Sequence, residues 1–81
     1  MSQYFISFLS NGQISQDDEG QDLPGLEEAE AAARASAREI LADNIKSNSA
    51  HPLEAVIITN ERGDTLMTIP ATDVLPKPLK G

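Results

Sequence analysis

The residues suited to chemistry are few. Asp17, Asp18, Glu19 and Asp22 bring four carboxylates together within six positions, and oxygen ligands of this kind suit a hard divalent cation such as calcium. An EF-hand loop needs alternating ligands and a distant bidentate Glu, and that spacing is absent, so the cluster reads as a solvated turn beside a helix N-terminus. His51 is the sole histidine and precedes Pro52 in a polar stretch. A general base needs an orienting partner and a nucleophile within reach. Ser47 and Ser49, four and two residues away in the same stretch, make no triad, so His51 reads as an exposed loop residue. Arg34 and Arg38 stand one helical turn apart and could share a phosphate or carboxylate. Glu30 and Glu39 are close enough to neutralise them, which favours a solvated helix face. Asn60-Glu61-Arg62-Gly63 has one glycine, no adjacent Lys and no following helix, so it is no phosphate loop. The absence of cysteine excludes disulfides, thiolate metal sites and cysteine nucleophiles. No catalytic, cofactor-binding or metal-ligating residue is therefore assigned, and no enzymatic activity is expected.

The elements that would carry these residues follow from pattern. Tyr4-Phe5-Ile6-Ser7-Phe8-Leu9 is aromatic and β-branched and predicts a strand. Asn11-Gly12 predicts a tight hairpin, because both residues tolerate positive φ, and Gln13-Ile14-Ser15 predicts a short return strand. Asp17 to Gly20 reads as a polar turn, and Pro24-Gly25 punctuates the chain again. From Leu26 to about Lys46 the period changes to that of a helix. Leu26, Ala29, Ala33, Ala37, Ile40, Leu41 and Ile45 form one apolar stripe, small in its first half and large in its second. The helix should therefore approach the sheet more closely at its start than at its end. Glu27, Glu28 and Glu30 near its start and Lys46 near its end suit the helix dipole, and Glu30 pairs with Arg34 at i,i+4. Glu54 to Thr59 and Asp64 to Ile69 predict two further strands around the turn at Asn60–Gly63, and Pro70 ends the last. The expected fold is α+β: β-β-α-β-β, a four-stranded, mostly antiparallel sheet with one helix on one face. Residues 1–74 are read as a single domain. The last dozen residues, three of them proline, read as extended, with 75–81 the C-terminal tail.

Size and charge bound the rest. The chain of 81 residues allows one domain, small enough that a dimer is plausible on size alone. Lack of cysteine in so small a domain favours a reducing interior, and a cytoplasmic location is expected. The apolar run Tyr4 to Leu9 is far shorter than the ~20 residues a membrane span needs, and no basic residue precedes it as in a signal peptide. The net charge is −7, and it lies wholly in residues 1–33, which carry seven acids and no Lys or Arg. Such a surface repels phosphate backbones, so direct nucleic-acid binding is not expected.

Several of these features together resemble a family of short bacterial proteins known only as a domain of unknown function. The resemblance rests on Tyr4-Phe5, Asn11-Gly12, Asp17 to Gly20, Leu23 before Ala29, Ala33 and Ala37, and the closing Glu61, Gly63, Ile69-Pro70 and Asp73. It covers about residues 3–74 and implies the fold without implying an activity. Ser7 stands where members often carry a more polar or aromatic residue, and Ala71 where Phe is common. Asp22-Leu23-Pro24-Gly25 with Glu27-Glu28-Ala29 also resembles HicB-type antitoxins, which neutralise small RNA-cleaving toxins, although that family places a strand and loop between its Pro-Gly and its helix.

The sheet pattern is the most informative feature. Tyr4, Ile6 and Phe8 oppose Phe5 and Leu9; Val56 and Ile58 oppose Ala55 and Ile57; Leu66 opposes Met67 and Ile69. A sheet with one wet face alternates apolar with polar, and this one is apolar on both sides with one helix to cover it. Either the tail, through Val74 and Leu75, or a second molecule should cover the other face. The expected function is a non-enzymatic binding or assembly module, acting as a homodimer through a sheet face or edge or through a protein partner. The alternative is an antitoxin-like protein that neutralises a small basic toxin.

Overall fold

The computed structural model describes residues 2–16 and 20–74. It is an α+β fold in which strands β1 (Ser2–Ser10), β2 (Gln13–Gln16) and β3 (Gln21–Leu23) precede helix α1 (Leu26–Ser47). Strands β4 (Ala55–Thr59) and β5 (Thr65–Pro70) and a short helix α2 (Ala71–Val74) follow. All strand pairs are antiparallel, in the order β2-β1-β4-β5, with β3 paired to the start of β1. The expected hairpins and helix are present at the expected places, and β3 is an addition to them. It is three residues long, too short for its alternation to register in the sequence.

Each turn has its reason. Asn11 and Gly12 take positive φ (53° and 73°), as a two-residue hairpin with matching strand twist requires. At the second hairpin the Asn60 side-chain oxygen accepts from the Arg62 and Asp64 N–H groups, both at 2.9 Å. Gly63 (φ 87°) then lets the chain reverse, and a bulge between Ile58 and Thr59 absorbs the extra residue in β5.

Helix α1 packs through Ala29, Ala33, Ala37 and Leu41, all buried. The three alanines are wholly shielded from solvent, and with no side chain beyond Cβ they allow close approach to the sheet. Beneath them lie Ile6, Val56, Ile58 and Ile69. Burying side chains of this size contributes about 1.5–3 kcal/mol each. Ile45, expected in the same stripe, is instead 74% exposed. The cause is geometric: steps of four residues drift by about 40° each on a helix of 3.6 residues per turn. From Ala29 to Ile45 the drift carries the stripe out of the sector that faces the sheet. Asn44 takes the inward place and its side-chain oxygen accepts from the Leu53 N–H at 2.9 Å, tying the following loop to the helix. Asn48, in the left-handed region (φ 54°), ends the helix, with the Ser49 N–H closing on the Asn44 carbonyl at 3.0 Å.

The chain after Pro70 departs from the extended form expected of it. Ala71–Val74 turns into α2, and Ala71 and Val74 are buried in the same core as α1. The Ala71 N–H donates to the Glu54 carbonyl at 2.8 Å, which carries the β4–β5 ladder one residue past the proline. Val74 therefore lies on the helix-bearing side, not over the opposite face that it was one of two candidates to cover. Leu75 and the rest of the tail lie outside the described residues.

Candidate functional site

The register assigns every strand residue to a face. Tyr4, Ile6, Val56, Ile58 and Ile69 join the core beneath the two helices, with Phe8 and Met67 packed against it. Both helices put their buried residues into that one core, so neither lies on the other face. Across the other face, cross-strand partners form rows. Ile14, Leu9, Ala55 and Pro70 align across four strands, an apolar stripe. Gln16, Ser7, Ile57 and Thr68 form the next row, and Phe5, Thr59 and Thr65 the third. Ile14 is 60% exposed, while Ser7 and Ala55 are short enough to be shaded by their neighbours. Apart from Asp22, opposite Gln3 at one corner, no residue that the register places on this face is charged.

One end of the face is closed by Gly20. A Cβ built on this residue would come within 2.9 Å of the Phe5 ring and 2.8 Å of the Gln3 side-chain oxygen. Its φ of 72° also lies where glycine is favoured. The glycine of the Asp-x-x-Gly segment is thus required by backbone angle and by the aromatic ring that leans against it. Nothing in a single sequence links residue 20 to residue 5.

The side chains weighed for chemistry do not converge. Asp17, Asp18 and Glu19 lie outside the described residues, and Asp22 is exposed on β3. Among the described residues no three His, Asp or Glu side chains form a cluster fit for a metal. Arg34 is held by Glu30 at 3.0 Å and donates to the Asp73 carbonyl at 3.4 Å, whereas Arg38 is exposed. The Ser47 hydroxyl donates to the Asp43 carbonyl at 2.9 Å, and the Ser49 hydroxyl accepts from the His51 N–H at 3.2 Å. These bonds terminate a helix and shape a loop; they do not activate a nucleophile.

His51 does border an open cleft of about 330 Å³ between the β1–β2 hairpin and the end of α1, with Phe8, Ile40 and Leu53 along it. Two of its polar side chains are committed to structure. The Ser10 hydroxyl donates to the His51 carbonyl at 2.7 Å, and the Asn44 side chain serves Leu53. Among the described residues no helix is long and apolar enough to cross a membrane.

No curated protein and no solved structure matches the chain. The HicB-type resemblance finds no support there, and here Gly25 is itself the helix N-cap, with no strand between Pro24-Gly25 and α1. A family model does match, over residues 3–72. It takes in the Gly20 closure, the alanine face of α1 and both hairpins, so the chain belongs to the family described as a domain of unknown function, DUF6894.

Proposed function

We propose that this domain is a non-enzymatic assembly module that works by associating with a second copy of itself through its sheet. The observation that carries the reading is the sheet face opposite the helices, with its row Ile14–Leu9–Ala55–Pro70 and with Ile57 in the next row. Apolar surface of this extent gains roughly 25 cal/mol per Å² when removed from water. The placement of charge leaves this face open to a second copy. A chain of net charge −7 repels its own copies. The helix surface carries Glu27, Glu28, Glu39 and Asp43, all exposed, while the central part of the sheet face carries no charge that would meet its like.

The test is mass in solution by light scattering after size exclusion, over loading concentrations from about 10 µM to 1 mM, a range that spans weak dimers. The expected mass at the upper end is near twice the 8.7 kDa of the chain. A mass of 8.7 kDa throughout would refute the proposal.

A further inference from the structure

A sheet can meet its copy edge to edge or face to face, and these are different contacts. Resting on the self-association just proposed, we infer that the second copy docks face to face on the stripe of Ile14, Leu9, Ala55 and Pro70 with Ile57, because both edges are unsuited to strand addition.

The β5 edge is closed by its hydrogen-bond parity. The Ala71 N–H points inward to the Glu54 carbonyl. Alternation then turns Pro70 and Thr68 outward, toward the open edge. Pro70 has no N–H to offer, which leaves Thr68 as the sole outward donor in the regular part of the strand. The bulge between Ile58 and Thr59 ends the regular ladder just beyond it. One donor and the two carbonyls of Thr68 and Pro70 make a short, donor-poor template for an added strand.

The other edge is broken. β2 leaves β1 at Gln16, opposite Ser7, and β3 rejoins it at Gln21, opposite Tyr4. Four residues separate those two points where β1 has two. β3 continues along the β2 side, because the other flank of Ser2–Tyr4 opens on a cleft lined by Asn60, Glu61, Arg62 and Leu66. Among the described residues neither edge piece exceeds four residues. Short strands at an edge are one means by which sheets avoid edge-to-edge pairing.

The face is free of these obstacles. Four strands at ~4.8 Å spacing and about five residues at ~3.3 Å give a footprint of roughly 19 Å by 17 Å. That is roughly 320 Å² per copy, below the ~800 Å² per partner of a standard specific interface, so the dimer should be a weak one, forming only toward the top of the micromolar range.

The experiment compares light-scattering masses of wild type, Ile57→Lys, Ile14→Glu and Ile45→Glu at 0.5 mM, each checked for folding by circular dichroism. Hydrogen exchange at the Thr68 amide is followed on dilution of the wild type. The expected result is a wild-type and Ile45→Glu dimer, folded monomers for the two face variants, and a Thr68 amide whose exchange does not slow as dimer forms. If Ile57→Lys fails to fold, Ile14→Glu decides, since Ile14 is 60% exposed on an outer strand. Dimers that survive both face substitutions, or a Thr68 amide protected on dimerisation, would overturn face docking while leaving self-association intact. A monomeric wild type would overturn the underlying proposal instead.

Discussion

Replacing Gly20 by alanine should be far more costly than replacing the other turn glycines. Among the described residues three glycines adopt positive φ: Gly12 at 73°, Gly20 at 72° and Gly63 at 87°. Alanine in this region costs roughly 1–2 kcal/mol on backbone grounds. At Gly12 and Gly63 that is the whole cost, because a Cβ there meets nothing within 4 Å. At Gly20 the new carbon would come within 2.9 Å of the Phe5 ring and 2.8 Å of the Gln3 side-chain oxygen. The amide end of Gln3 can swing away; the ring, rooted in the central strand β1, cannot do so without disturbing the sheet. Overpacking of this kind adds about 1–3 kcal/mol, for a total of about 2–5 kcal/mol. For a domain of this size, each kcal/mol lowers the melting temperature by about 4–8 °C. Gly20→Ala should therefore melt at least about 8 °C below wild type, and Gly12→Ala and Gly63→Ala no more than about 16 °C below it. The assay is thermal and urea denaturation followed by circular dichroism. All proteins are held at one concentration, because association makes the midpoint concentration-dependent. A double-mutant cycle with Phe5→Leu isolates the ring, and the Gly20→Ala penalty should shrink by about 1–3 kcal/mol when the ring is gone. If Gly20→Ala costs no more than Gly12→Ala, or if Phe5→Leu leaves its penalty unchanged, the closure of the sheet by residue 20 is wrongly described.

Three further outcomes are expected. Ile58→Ala, at a wholly buried position beneath α1, should cost about 2–5 kcal/mol in urea denaturation, whereas Ile14→Ala should cost well under half as much; equal costs would contradict the face assignment. Asn44→Ala removes the acceptor of the Leu53 N–H and should destabilise by about 1–3 kcal/mol; hydrogen exchange at the Leu53 amide should rise with it, and an unchanged amide would show that the bond does not hold the loop. Calorimetric titration with calcium, magnesium and zinc should give no saturable heat below millimolar, and micromolar binding abolished by Asp18→Asn with Asp22→Asn would show the acidic cluster to be a cation site.

What could be read from the sequence is what depends on neighbours along the chain. The hairpins at Asn11-Gly12 and Asn60–Gly63 are local, since those residues tolerate or enforce a reversal whatever packs around them. Helix α1 is set by its alanine content, its flanking Pro-Gly and its periodicity, and its limits fall within a residue of those expected. The alternation in β1 and β4 predicted two apolar faces; the face under the helices is apolar at Tyr4, Ile6, Phe8, Val56 and Ile58, and the other carries one apolar row beside rows that are mostly polar. The misreadings concern partners distant in sequence. The drift of the stripe from Ala29 to Ile45 matters only once the sheet defines a facing sector, and then the inward place falls to Asn44. Ala71–Val74 looked extended because three prolines surround it; its helix forms because the core accepts Ala71 and Val74 and the Glu54 carbonyl accepts the Ala71 N–H. Gly20 matters because Phe5 lies across from it, and the open edge is poor in donors because strand parity turns Pro70 outward. Periodicity reports which residues share a face of their own element. Only the register between elements decides which face meets the core, which is left to the solvent or a second chain, and which backbone donors remain at an edge.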